Sequence, residues 1–161
     1  MDQANTFLDG EGDSWFESNI KEESYHPIPS RKALVDWCLP FKDNINSILE
    51  IGAGSGNPLA FLAHALNSNG TGVEPSSKAV DNWNKIKSSI DGGNRIIMKQ
   101  GVANKLPFDD NSFDVVGFGF CLYLVDRHQL FSAIAEADRV LKDGGFLYIE
   151  DFDPSKRYSN D

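Results

Sequence analysis

The run Ser47-Ile-Leu-Glu-Ile-Gly-Ala-Gly-Ser-Gly-Asn-Pro58, read with Gly72-Val-Glu-Pro75, decides the fold. A short apolar segment ends in three glycines spaced GxGxG (Gly52, Gly54, Gly56), and a helix start follows, with Asn57 as N-cap and Pro58 at the first helical position. A second short strand then ends on an acid, Glu74. A tight strand-to-helix turn needs positive φ, and a missing Cβ lets a ligand lie against the backbone. An acid ending the next parallel strand stands beside that turn and can accept both hydroxyls of a ribose. The combination predicts a pocket for an adenosine-containing cofactor.

Outward from this turn, strands alternate with helices. Strands are expected at 47–51, 71–74, 95–99, 113–118 and 146–150, and helices at 31–39, 58–67, 76–89 and 127–141. That alternation predicts an α/β, doubly wound parallel sheet of about five strands with flanking helices. Residues 1–29 form a separate acidic and aromatic arm, expected to be irregular with at most one short helix. Residues 30–161 form the cofactor-binding domain.

Composition narrows the function. At 161 residues and 40% apolar content the chain is one domain with a real core. Its net charge of −9 is concentrated in the arm, where seven acids face one lysine before His26. Such a surface repels phosphate backbones and anionic lipid, so neither nucleic acid nor membrane is an expected partner. Cys38 and Cys121 lie in apolar surroundings without metal-ligand spacing and read as buried free thiols, so no metal site is expected. The first residues lack the pattern of a signal peptide and no apolar run approaches a membrane span, which predicts a cytoplasmic protein.

Two later motifs carry a resemblance. Leu106-Pro-Phe-Asp-Asp-Asn-Ser-Phe-Asp-Val-Val116 and Arg139-Val-Leu-Lys-Asp-Gly-Gly145, in order after the glycine turn, resemble class I S-adenosylmethionine-dependent methyltransferases over residues 30–152. The resemblance implies S-adenosyl-L-methionine as cofactor and methyl transfer to a small molecule or biosynthetic intermediate. It places Glu50, Gly52, Ala53, Gly54, Gly56, Glu74, Pro75, Val102, Ala103, Phe118 and Gly119 around the cofactor. Glu50 would orient the glycine loop and the cofactor's ammonium, and Phe118 and Gly119 would face its sulfonium end. Val102 stands where the family has an acid that reads the adenine amino group, so adenine would depend on the backbone of Val102 and Ala103 or on Asn104.

Tyr123 and His128 are the titratable candidates for acceptor contact after the fourth strand, and His128 reads as a surface residue. The arm, with Trp15, Phe16 and Tyr25, is expected to fold over the cleft as a lid, bringing Tyr25 and His26 nearest the methyl group. Eleven residues, including Pro154, follow the fifth strand, too few for the antiparallel hairpin that the resemblance implies. Three alternatives stay open: a piece of a longer protein, a short variant, or a sheet edge covered by a homodimer contact or partner subunit. Two other readings stay open: a non-catalytic member of the fold that binds a partner through the edge, and an NAD-dependent oxidoreductase. The latter leaves the Leu106 and Arg139 motifs unexplained.

Overall fold

The computed structural model describes residues 2–19 and 29–152. Five parallel strands form one sheet in the order β3-β2-β1-β4-β5: β1 Ser47–Ile51, β2 Asn69–Glu74, β3 Ile96–Gln100, β4 Phe113–Gly119 and β5 Leu141–Glu150. The chain direction across the sheet reverses between β1 and β4, which opens a crevice at their carboxyl ends. The central strands are buried on both faces, which explains their near-continuous apolar runs.

Two cores sandwich the sheet. On one face, α3 (Pro29–Cys38), α4 (Asn57–Leu66) and α5 (Ser77–Ile86) bury Cys38, Leu59, Leu62 and Trp83 against Ile48, Ile96 and Val115. On the other, α6 (Leu130–Val140) packs Ala133, Ala137 and Val140 against Leu49, Ile51, Val116 and Phe118. The alternation along β1 therefore sends Leu49 and Ile51 toward α6, and Ile48 and Glu50 toward α3.

The two later sequence motifs meet in space. Arg139 donates to the carbonyls of Phe108 at 2.7 Å and Leu106 at 3.1 Å, and pairs with Glu136 and Asp110. Glu136 in turn accepts from the Leu106 N–H at 2.7 Å. A charged fork on α6 thus fixes the loop that follows β3, because one guanidinium holds two of its carbonyls at once.

Several boundaries differ from the sequence expectation. The residue capping α4 is Gly56, at φ +78°, and Asn57 is already helical. Gly56 has no room for a side chain, since a Cβ there would meet the Trp83 ring at 2.7 Å. α6 begins at Leu130 rather than 127, because residues 126–129 form a turn in which the Gln129 N–H bonds the Asp126 carbonyl. β5 begins at Leu141: Phe113 pairs with Leu141 and Val115 with Phe146, and the glycine pair loops out between those two pairings. The arm is more ordered than expected. It forms α1 (Gln3–Thr6), a wide helical turn over Phe7–Glu11 broken at Gly10 (φ +137°), and α2 (Gly12–Asn19).

Candidate cofactor site

A cavity of about 850 Å³, counting its open mouth, occupies the crevice at the carboxyl ends of β1, β2 and β4. Its floor is the β1–α4 turn at Gly52 and Gly54, and one wall is the end of β2 at Val73, Glu74 and Pro75. The opposite wall is Gly119, Phe120 and Cys121, and the far end is the loop Gly101–Asn104 with Val125, Asp126 and Gln129. The arm closes it from above with Gln3, Ala4, Phe7, Gly12 and Trp15.

Glu74 is 7% exposed, and burial pushes its carboxyl above the usual carboxylate range. Its Oε2 accepts from the Gly54 N–H at 2.9 Å and its Oε1 from the Ser76 N–H at 3.0 Å. These bonds lock the carboxylate against the glycine turn and leave each oxygen a second lone pair for a ligand hydroxyl. Gly54 has φ +52° with nothing near its Cβ position, so glycine is there for its backbone conformation and for the open face it presents to the cavity.

The arm is latched at both ends. Asp13 accepts from Ser76 Oγ at 2.7 Å, from the Lys78 N–H at 3.0 Å and from Ser77 Oγ, so it caps the start of α5. Those bonds, the Lys78 N–H foremost, hold its carboxyl below the ordinary range. Gly12 packs so close to α5 that a Cβ would lie 3.1 Å from the Ser76 nitrogen. At the other end the Gln3 N–H donates to Asp126 at 2.8 Å and Gln129 donates to Asp2 at 3.0 Å. Gln129 also accepts from the Asn104 side chain at 2.7 Å, linking the arm to the loop beside Val102.

Seven of the residues expected around the cofactor line the cavity: Gly52, Gly54, Glu74, Pro75, Val102, Ala103 and Gly119. Four do not. Phe118 is fully buried toward α6, since it alternates with Gly119 along β4. Ala53 is buried against Gly72, and Gly56 faces Trp83. Glu50 lies behind Gly119 and is paired with Arg31 of α3. Tyr123 is 52% exposed, stacks edge-on against Phe152 at 5.2 Å and does not line the cavity. Burial and the nearby Asp151 raise its hydroxyl above the usual tyrosine range, which unsuits it as a base. His128 is exposed, and Tyr25 and His26 lie outside the described residues. Cys121 is only partly buried, but its thiol donates to the Ile51 carbonyl at 3.2 Å. Among the described residues no group of three or more potential metal ligands occurs.

Arg31, Asp13 and Gln129 had no signal in the sequence. One signal for the cluster behind Gly119 existed: Gly117 and Gly119 alternate with Phe118 and Phe120, so one face of a central strand is bare. A Cβ at 117 would fall 1.9 Å from the Tyr148 ring, and one at 119 would fall 2.5 Å from Glu50 Oε1. Bulky groups from the neighbouring strands fill that bare face.

The charge of the cavity separates the cofactor classes. Among the described residues its lining contains Glu74 and Asp126 and no lysine, arginine or histidine. The Gly54 N–H, which could otherwise bind a pyrophosphate, is taken by Glu74. This suits a cationic sulfonium better than a dinucleotide's two negative phosphates.

Comparison with known proteins agrees. A methyltransferase-domain family matches residues 49–149. The chain is 36% identical over 137 residues to 27-O-demethylrifamycin SV methyltransferase of Amycolatopsis mediterranei, covering 84% of this chain and 48% of that protein. It is 30% identical over 123 residues to the ubiquinone/menaquinone biosynthesis C-methyltransferase UbiE of Ruegeria, covering 76% and 48%. Both are named for small-molecule pathways, and the chain spans about half the length of each. The fold matches the crystal structure of a SAM-dependent methyltransferase from Aquifex aeolicus with a TM-score of 0.63 at 21% identity, covering 83% of this chain and 73% of that one. With the glycine turn, Glu74 and the paired Leu106 and Arg139 motifs in place, the chain belongs to the class I methyltransferase-domain family, whose cofactor is S-adenosyl-L-methionine.

Proposed function

We propose that this chain binds S-adenosylmethionine and moves its methyl group to a small-molecule acceptor. The observation that carries the reading is the cavity, without a cation among its described lining residues, whose Glu74 is locked to the glycine turn with free lone pairs. Glu74 takes the ribose hydroxyls, Gly52 and Gly54 lie along the methionine portion, and Val102, Ala103 and Asn104 border the adenine. The bound cofactor supplies an activated methyl, so the protein has to align the acceptor and exclude water. Phe120, at φ +51°, lines the mouth and stacks on Phe152 at 5.2 Å. This aromatic rim, with no lysine or arginine among the described lining residues, favours an apolar, uncharged or cationic acceptor. Calorimetric titration should give micromolar binding of S-adenosylmethionine and none of NAD; the reverse result would end this reading.

The arm serves as the lid. Its latches sit on either side of the cleft and its helix is broken at Gly10, where a hinge costs least. Asp13→Ala should cost about 0.5–2 kcal/mol, the range for a helix cap, and weaken cofactor binding. Amide exchange in residues 3–19 should slow on cofactor binding in the wild type and less so in the variant. Protection unchanged by saturating cofactor would reduce the arm to a packing element.

Val102→Asp should tighten binding or leave it unchanged by restoring an acceptor for the adenine amino group, an effect of about 0.5–1.5 kcal/mol at most. A tenfold loss in the folded variant would mean that Val102 does not border the adenine.

The β5 edge carries exposed Leu147 and Ile149, which favours cover by further chain, a second copy or a partner subunit. The free thiols Cys38 and Cys121 fit a reducing, cytoplasmic setting.

A further inference from the structure

Behind Gly119 lies a charge cluster that lines no part of the cavity. Arg31, 1% exposed, donates through Nη2 to Glu50 Oε1 at 2.6 Å and to Glu150 Oε2 at 2.7 Å. Its Nη1 donates to the Tyr148 hydroxyl at 3.1 Å, and Ser30 donates to the other oxygen of Glu150. One guanidinium therefore faces two carboxylates, and with all three ionised the cluster is one negative charge in excess. Among the described residues no further cation faces the cluster. β4 contributes only the bare Gly117 and Gly119, and the other titratable neighbours, Glu74, Cys121 and Asp151, are acidic or neutral. Glu50 Oε2 is buried with no hydrogen-bond partner among the described residues. An uncompensated buried carboxylate is costly and is relieved by taking up a proton. Burial accordingly pushes the Glu50 carboxyl above its ordinary range.

Gly119 lies between Glu50 and the cavity: it lines the cavity, and a Cβ there would lie 2.5 Å from Glu50 Oε1. We propose that Glu50, held in place by Arg31 and overcharged by Glu150, exchanges a proton for the positive charge of the cofactor, so that binding S-adenosylmethionine releases a proton to solvent. Arg31 and Glu150 are positioning residues in this unit, since neither reaches the cavity. The proposal rests on the cofactor reading above. The sign follows from linkage: a nearby cation lowers the Glu50 pKa, so affinity rises with pH through its elevated titration range and levels off above it.

The test is calorimetric titration of the full chain with S-adenosylmethionine, at several pH values, in buffers of different ionisation enthalpy. The wild type should release a fraction of a proton per cofactor bound, and its affinity should rise with pH. Glu150→Gln removes the excess charge while its amide oxygen can still accept from Arg31 or Ser30. It should abolish both the proton release and the pH dependence and keep the wild-type affinity at the upper end of the range. Binding without proton exchange in the wild type overturns the proposal with no variant needed, and so does equal release in wild type and Glu150→Gln. Absence of binding in every buffer overturns the cofactor reading and this inference with it.

Discussion

Arg31→Met is expected to destabilise the fold by about 3–5 kcal/mol, the cost of leaving buried charges without their partner. The guanidinium is 2% exposed at its side chain and holds Glu50, also 2% exposed, and Glu150, 9% exposed. Methionine fills similar space but offers no donor, so two carboxylates and the Tyr148 hydroxyl lose their bonds together. Chemical denaturation of the two proteins would measure the loss, and a change below about 1 kcal/mol, the range of a surface pair, would show that the cluster is solvated. Adding Glu50→Gln and Glu150→Gln to Arg31→Met should recover part of the stability, because most of the penalty lies in the orphaned charges rather than in lost packing. Recovery would separate an electrostatic cause from a cavity.

Glu74→Ala is expected to weaken S-adenosylmethionine binding by about 1.5–3 kcal/mol, roughly ten- to a hundredfold, as for losing hydrogen bonds to a charged acceptor. The substitution acts twice. It removes the acceptor for the ribose, and it frees the Gly54 and Ser76 N–H groups that now fix the turn. Glu74→Gln separates the two effects, since its carbonyl oxygen can keep one backbone bond while the charge is gone. An intermediate affinity is expected for Glu74→Gln in the same titration. Equal affinity in wild type and Glu74→Ala would remove Glu74 from the site.

The sheet and the glycine turn were legible because their causes are local. Apolar runs of strand length, helical spacing between them and the short separation from Gly52 to Glu74 all operate within one βαβ unit. The boundaries that shifted did so where a neighbour overrode the local signal. Gly56 rather than Asn57 caps α4 because the Trp83 ring leaves no space for a side chain there. The arm looked irregular because its polar, acidic sequence has few apolar residues to pattern. Its helices are held instead by Asp13 on α5 and by Asp2 and Gln3 on the turn before α6.

Phe118 on β4 and Glu50 on β1 show the limit at the level of side-chain direction. The resemblance placed both near the cofactor by their places in the family's motifs, and a place along a strand does not say which face a side chain takes. Alternation sends Phe118 into the core under α6 and Glu50 toward α3, leaving Gly119 as the contact between that strand end and the cavity.

The succession of strands and helices and the acid beside the glycine turn are thus written in residues close together along the chain, where spacing and hydrophobic period carry the information, and the family in short motifs that it resembles. The roof over the cavity and the Arg31–Glu50–Glu150 cluster join residues up to 127 and 119 positions apart. Whether such groups are paired, how deeply they are buried and which charge is left over depend on which distant side chains the fold brings within about 3 Å, and on the water that packing removes from between them.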